Sequence, residues 1–223
     1  MRHHEGMPLA PDVLDLAESL VPSGGRGLLG IAGLPGSGKS TFAEDLIAAL
    51  AERHGDGRVG HVPMDGFHLA DVQLERLGLR ERKGAPETFD VHGYAATLRR
   101  LGEDTDQPVY VPGFERTLEE PVAASLVVPP TARLVVSEGN YLLDPDPAWR
   151  AARARLDAVW WVEVDEELRH TRLVERHVRF GKSPREARDW VEQVDEANAR
   201  LIRERSDPPD QVVSAADDGW VLA

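Results

Sequence analysis

Gly30-Ile31-Ala32-Gly33-Leu34-Pro35-Gly36-Ser37-Gly38-Lys39-Ser40-Thr41 sets an apolar run, a glycine-rich turn and the start of an amphipathic segment in direct succession. From Gly33 to Ser40 the spacing is G-x-x-x-x-G-K-S. Glycines at this spacing let backbone N–H groups close on a polyphosphate, while the lysine reaches the outer phosphates and the hydroxyl holds Mg²⁺. Gly33, Gly36, Ser37, Gly38, Lys39 and Ser40 are therefore candidate nucleotide-binding residues, and Ser40 is also a candidate metal ligand. Taken alone, the loop does not separate phosphate transfer from hydrolysis or switching.

The flanks supply the context that the loop requires. Leu28–Ala32 is a short apolar run of the kind a buried parallel strand shows, and Lys39–His54 carries Phe42, Leu46, Ala49 and Leu50 on one helical face. Val59–Met64 reads as the next strand, kept short by Pro63, and Asp65-Gly66-Phe67-His68 stands at its end. Ligands of doubly wound sheets gather outside the carboxyl ends of strands, so Asp65 is expected to face the same crevice as Lys39. There it would orient a substrate hydroxyl and accept its proton; the alternative is an ordinary Asp-Gly turn. Leu134–Val136 is a further strand, ending in Ser137-Glu138-Gly139-Asn140, where Glu138 either holds Mg²⁺ or is a strand-terminal surface charge.

Farther on, Ala158–Val164 is a fourth strand candidate, and Asp165 caps a helix running to about Phe180. Arg169, Arg172, Arg176 and Arg179 share one face of that helix. They form either a solvated face paired with Glu166, Glu167 and Glu175 or a lid that closes over a transferring phosphate, with Arg172 and Arg176 pointing inward. Ser183-Pro184-Arg185-Glu186 is a capping box opening a long helix with the stripe Ala187, Trp190, Val191, Val194, Ala197 and Leu201.

Elsewhere the pattern is plainer. Leu9–Leu20 is a leading helix, Asp90 caps a helix bearing Val91, Tyr94, Leu98 and Leu101, and Gln211–Val213 and Trp220–Leu222 add terminal strands. Leu69–Asp90 reads as charged and irregular, with Arg80, Arg82 and Lys83 as a solvated cluster rather than substrate contacts. Pro108–Pro112 is extended, and Leu126–Val128 is a strand. Arg116 stands beside Glu115, open between a substrate contact and a local ion pair.

Composition narrows the partners. A chain of 223 residues supports one sizeable core, hence one expected domain over 1–223, with the arginine lid at roughly 166–186. The net charge of −13 and the pI near 5.0 argue against general affinity for nucleic acid or an anionic membrane and favour a small-molecule partner, with a homodimer left open. Cysteine is absent, which excludes disulfides and thiolate chemistry and fits a reducing cytoplasm, and no uncharged apolar run approaches the length of a membrane span. His3 and His4 read as a polar start rather than a metal tract, and His61, His68 and His92 share no ligand spacing.

A phosphate loop, an Asp-Gly-Phe, a Ser-Glu-Gly and an arginine helix, in that order, resemble the phosphoribulokinase, uridine kinase and type I pantothenate kinase superfamily. Similarity to bacterial pantothenate kinases is strongest between Asp65 and Leu143, through Gln73–Leu79, Arg82-Lys83-Gly84, Pro86-Glu87-Thr88-Phe89-Asp90, Pro108-Val109-Tyr110 and Glu138-Gly139. The resemblance implies a P-loop NTPase fold: an α/β, doubly wound, mainly parallel sheet with helices on both faces and an arginine-bearing lid. It also implies Lys39, Ser40 and Thr41 for ATP and Mg²⁺, Asp65 as the base, Glu138 near the metal, Tyr110 in the acceptor pocket and Arg176 in the lid. Val111-Pro112 stands where pantothenate kinases carry Ser-His, and Pro112-Gly113-Phe114-Glu115-Arg116 is more similar to bacterial sugar-kinase-like proteins, some labelled fructose-transport kinases.

The expected activity is an ATP- and Mg²⁺-dependent transfer of phosphate to a hydroxyl of a small metabolite, whether sugar or polyol, nucleoside or pantothenate-like. Lys39, Asp65 and Arg176 carry the chemistry, Arg172 joins the nucleotide contacts, and Asp65, Tyr110 and Arg116 meet the acceptor. A nucleoside monophosphate kinase shares the loop and lid. A regulatory switch would need a guanine-reading Asn-Lys-x-Asp, which the sequence lacks.

Overall fold

A computed structural model describes residues 6–223; His3 and His4 lie outside them. Fifteen of the elements fall in the order α1 (Pro11–Ser19), β1 (Gly27–Gly33), α2 (Lys39–His54), β2 (Val59–His61), α3 (Asp71–Leu77), α4 (Val91–Glu103), β3 (Val109–Glu115), β4 (Glu120–Val128), β5 (Leu134–Glu138), α5 (Pro147–Arg153), β6 (Ala158–Glu163), α6 (Glu166–Arg179), α7 (Pro184–Trp190), α8 (Glu196–Arg205) and β7 (Gln211–Ala216). The short β8 (Gly219–Leu222) completes them.

The main sheet has strand order β2-β5-β1-β6-β7-β8, with parallel pairing throughout except the antiparallel β7–β8 hairpin. All seven residues of β1 are buried, because helices cover both of its faces. Leu28 and Ala32 pack on one face with Tyr94, Leu98 and Leu101 of α4, Trp149 of α5 and Ile202 of α8. Leu29 and Ile31 pack on the other with Val13 and Ala17 of α1, Phe42 and Leu46 of α2 and Trp220 of β8. The fold is thus the doubly wound α/β sheet expected of a P-loop protein, and β1 sits where the strand order reverses.

Three segments depart from the sequence reading. Leu69–Asp90 is not irregular: it holds α3 and short 3₁₀ turns at Arg80–Arg82 and Pro86–Thr88. Only Leu74 of α3 is buried, whereas Val72 and Leu77 are exposed, so the helix carries almost no amphipathic signal. β4 begins at Glu120 rather than Leu126 and pairs antiparallel with β3 across a bulge between Val111 and Gly113. In the long helix the buried stripe is Ala187, Val191, Asp195, Ala199 and Ile202, because a π-turn at Val191–Asp195 shifts the phase between α7 and α8. Trp190, assigned to the stripe, is exposed in consequence.

The β3–β4 hairpin lies against the 3₁₀ turn Met64–Phe67 that carries Asp65. A Cβ on Gly66 would stand 2.3 Å from the Pro112 carbonyl oxygen. Gly66→Ala is therefore expected to push the hairpin off the turn and cost about 1–3 kcal/mol, a fall of about 3–10 °C in melting temperature by calorimetry. An unchanged melting temperature would mean that the contact gives way freely.

Candidate active site

Strand register assembles the site. Ile31 pairs with Glu138 and Gly33 with Val162, so β1, β5 and β6 end at one level. Gly36 and Gly38 take positive φ values of 79° and 93°, which turn the chain sharply into α2. Lys39 is the first residue of α2, and Ser40 Oγ donates to Glu138 Oε2 at 3.1 Å. Thr41 sits half-buried in the same first turn.

Asp65 reaches the crevice because β2 is pinned at its end. Ser137 Oγ donates to the Val62 carbonyl at 2.6 Å and receives the Tyr94 hydroxyl proton at 2.6 Å, tying β5, the end of β2 and α4 together. The His68 ring donates from Nδ1 to the Asp65 carbonyl at 2.8 Å and lies 4.0 Å, centroid to centroid, from Phe89. Arg116 Nη2 donates to Asp65 Oδ2 at 2.8 Å while its guanidinium stacks 4.9 Å over the Phe114 ring. Of the two readings left open for Arg116, the local pair with Glu115 does not form; Glu115 accepts from Thr117 instead.

Burial and neighbouring charges set the protonation states. Burial raises Asp65, but His68, Arg116 and Lys39 together outweigh it and hold its carboxyl below the usual aspartate value. Glu138 is raised, by burial first and the nearby Asp65 charge second, against the pull of Lys39 and the Ser40 hydroxyl. Lys39 is lowered by burial, with Glu138 and Asp65 opposing. His68 is lowered chiefly by burial, with the Asp65 carboxylate and its carbonyl opposing.

The arginine helix lies directly on the loop. A Cβ on Gly36 would meet Leu173 at 2.7 Å, and one on Gly38 would meet the Arg172 guanidinium at 3.1 Å. Arg172 Nη1 donates to the Ser37 carbonyl at 3.3 Å. Arg176 is held by Asp195 across 3.7 Å, and burial lowers it while Asp65 and Asp195 raise it and Arg116 lowers it, which places its charge at the same crevice. Arg179 is exposed, and of the three expected acidic partners of this face only Glu166 pairs with one of the arginines.

Arg169 and Asp195 were not foreseen as parts of the site. The Arg169 side chain is fully buried, bonded to Glu166 at 2.8 Å and to Glu196, with its Nη1 directed at the Pro35 carbonyl of the loop. Helical spacing in α6 marked Arg169 as one of four equivalent arginines; nothing in the sequence singled it out as the anchored one. Tyr110 is the correction in the other direction. Alternation along β3 turns Val109 and Val111 into the core and leaves Tyr110 60 % exposed, in register with Val127 of β4.

The residues present fit a bound polyphosphate and a hard cation. Ser37 Oγ is buried within the loop without a hydrogen-bond partner among the described residues, and Gly36 and Gly38 at positive φ let the backbone turn there while α6 packs against it. Ser40 and Glu138 offer two oxygen donors, and among the described residues no cluster of three acidic or histidine ligands exists. Two donors suit Mg²⁺, which keeps several waters and takes phosphate oxygens.

A protein of Schizosaccharomyces pombe named as a candidate uridine kinase is 33% identical over 216 residues, covering 92% of each chain. YggC of Escherichia coli, an uncharacterised protein, is 32% identical over 187 residues, covering 83% of this chain and 76% of its own. This chain belongs to the uridine kinase-like P-loop kinases. A crystal structure from Silicibacter sp. TM1040, described as a candidate fructose transport system kinase, superposes with a TM-score of 0.82 at 38% identity, covering 95% of this chain and all of that one. The yeast kinase-like protein YFH7 shares the fold at a TM-score of 0.75, 20% identity and 93% and 97% coverage. No protein-family model matches the chain. Within this kinase family the chain is an ATP-dependent kinase by relationship, and no helix among the described residues is long and apolar enough to cross a membrane.

A base role for Asp65 would require its ionised form, and activity would then fall as pH drops through its pKa. Arg116→Gln removes a cation that holds that pKa down. The acid limb of the pH–rate profile for ADP release should therefore move to higher pH; an unmoved limb would detach Asp65 from the titrating step.

Proposed function

We propose that this kinase transfers the γ-phosphate of ATP, with Mg²⁺, to a hydroxyl of a small unphosphorylated metabolite of the sugar, polyol, nucleoside or pantothenate-like class. The observation that carries the proposal is Asp65: an ionised carboxylate at a strand end, in the crevice shared with Lys39 and Glu138 and open to solvent along one side. A motor or switch needs no such base beside its phosphate loop. The relatives support the acceptor class, since their names point to a nucleoside in one case and a sugar in another.

On this reading each group has a defined task. Backbone N–H groups from Gly33 to Lys39 and the Lys39 ammonium hold the β- and γ-phosphates of the donor. Ser40 and Glu138 would hold Mg²⁺, which when bound would offset the charge of the donor phosphates. Asp65 accepts a hydrogen bond from the acceptor hydroxyl and takes its proton as the new O–P bond forms and the bond between the γ-phosphorus and the β–γ bridging oxygen breaks, releasing ADP. Arg172 and Arg176 neutralise charge on the phosphates, and α6 with its following turn forms the lid. Arg116, already bonded to Asp65, contacts the acceptor once the hydroxyl displaces it.

A panel of sugars, polyols, nucleosides, vitamins and monophosphates, scored by ADP release with mass detection of product, tests the proposal. Phosphate is expected on an unphosphorylated hydroxyl compound, and acceptance of nucleoside monophosphates alone would replace this reading with a monophosphate kinase. With the acceptor saturating, Asp65→Asn should lower kcat by about 10²–10⁴-fold while leaving ATP affinity near wild type. Wild-type turnover in that variant would remove Asp65 as the base.

A further inference from the structure

The helix that follows the lid carries an acid where its pattern calls for an apolar residue. Its buried positions are Ala187, Val191, Asp195, Ala199 and Ile202. Steps of four drift by about 40° each around a helix of 3.6 residues per turn, and the π-turn Val191–Asp195 widens one turn and takes up that drift. Asp195 is thereby kept inward, at 7% exposure. Burying a carboxylate is costly unless neighbouring groups hold it.

Two consecutive residues of α6 do so. His177 Nε2 donates to Asp195 Oδ2 at 2.7 Å, and Arg176 Nη2 lies 3.7 Å from Oδ1. Among the described residues, Asp195 is the only carboxylate within 4.0 Å of Arg176. Arg176 follows Arg172 by four positions and so shares its face, and Arg172 already bonds to the phosphate loop at the Ser37 carbonyl, 3.3 Å away. Arg176 itself bonds to no loop atom; what fixes its direction comes from the helix behind it.

We infer that Asp195 is a positioning residue whose carboxylate, turned inward by the π-turn, holds the Arg176 guanidinium where it meets the terminal phosphate of the bound nucleotide. The inference rests on the kinase reading, in which the lid arginines contact the donor. His177, on the second carboxylate oxygen, keeps Asp195 from rotating away. A long arginine side chain directed before the nucleotide arrives loses less freedom on binding than an untethered one, and that saving is specific to the phosphate it touches.

The nucleotide discriminates this role from a merely structural one. Affinities for Mg²⁺ with a non-hydrolysable ATP analogue and with ADP, measured by calorimetry, give a ratio that reports contacts to the terminal phosphate. Arg176→Gln is expected to lower that ratio about tenfold, Asp195→Asn to lower it by a similar factor, and the double variant to be no worse than Arg176→Gln alone. Asp195→Glu, which keeps the charge one methylene away, should hold the ratio within about threefold of wild type and serves if the Asn variant does not fold.

A structural lesion would weaken ADP and the analogue together and leave the ratio intact; that outcome for Asp195→Asn overturns the inference. So do additive losses in the double variant, because Asp195 would then act on something other than Arg176. An Arg176→Gln ratio equal to wild type also overturns it, by removing the arginine from the phosphate. Failure of the kinase reading itself is seen elsewhere, as an acceptor panel in which no compound gains phosphate.

Discussion

The parallel pairing of β1 with both β5 and β6 is the constraint on which the site depends. Because Ile31 lies opposite Glu138, the chain that leaves β1 as the phosphate loop returns in α2 with Ser40 within 3.1 Å of the carboxylate that ends β5. Pairing on the other side brings Val162 level with Gly33, so that Asp165, two residues beyond β6, starts α6 over the loop and not beyond it. A shift of one residue in either register would turn Glu138 to the opposite face of the sheet or move the arginines off the loop. The helices on both faces make such a shift costly, since every residue of β1 is buried against them.

That geometry gathers charges in one crevice, and they are not equivalent. Lys39 feels the charge of two carboxylates, Glu138 first and Asp65 second. Asp65 has further help from His68 and Arg116 and is held below the usual aspartate value, whereas burial and the Asp65 charge outweigh Lys39, the Ser40 hydroxyl and Arg116 at Glu138, which is raised. Environments that push two carboxyls apart commonly separate their roles. The lowered one is ready to accept a proton on the proposed reading; the raised one has less positive charge beside it than burial and the Asp65 charge demand, and a divalent cation there would favour its ionised form.

Much of this was legible because the informative residues sit at element boundaries, where local chemistry decides structure. Asp90 and Asp165 cap the helices expected of them, and the Ser183 capping box forms with Pro184 at its first position. Short strands with buried faces were read from their apolar runs at Leu28, Leu134 and Ala158. Information failed where tertiary contacts override local pattern. Alternation along β3 leaves Tyr110 exposed, although its neighbours match an acceptor-binding motif, and the packing of the Met64–Phe67 turn against Pro112 and Gly113 is a contact no window on the sequence reveals. Asp45 is buried within α2 to receive the Trp220 indole N–H at 2.8 Å, a partner 175 residues away that no window on the sequence connects to it. The π-turn is of the same kind: its trace is a stripe in steps of four, which reads as an α-helix with one misplaced acid until the partner on α6 is known.

The four arginines of α6 show how one sequence pattern divides into different physical states. Arg169 is fully buried among Glu166, Glu196 and the loop carbonyl of Pro35, Arg172 touches the loop, Arg176 is held at its side by Asp195, and Arg179 is in solvent. Swinging the whole helix away would strip the buried Arg169 from Glu196 of α8 and from the Pro35 carbonyl, leaving it only its own-helix partner Glu166, and would also expose Leu173 where it packs on Gly36. Gly181, at a φ of 101°, ends the helix just beyond Arg179 and gives the chain a joint there. On the proposed reading, then, α6 is not a flap hinged at its start. Its first turns belong to the nucleotide cradle, and opening is confined to the stretch beyond Leu173, the stretch whose inward-facing arginine is tethered from the following helix.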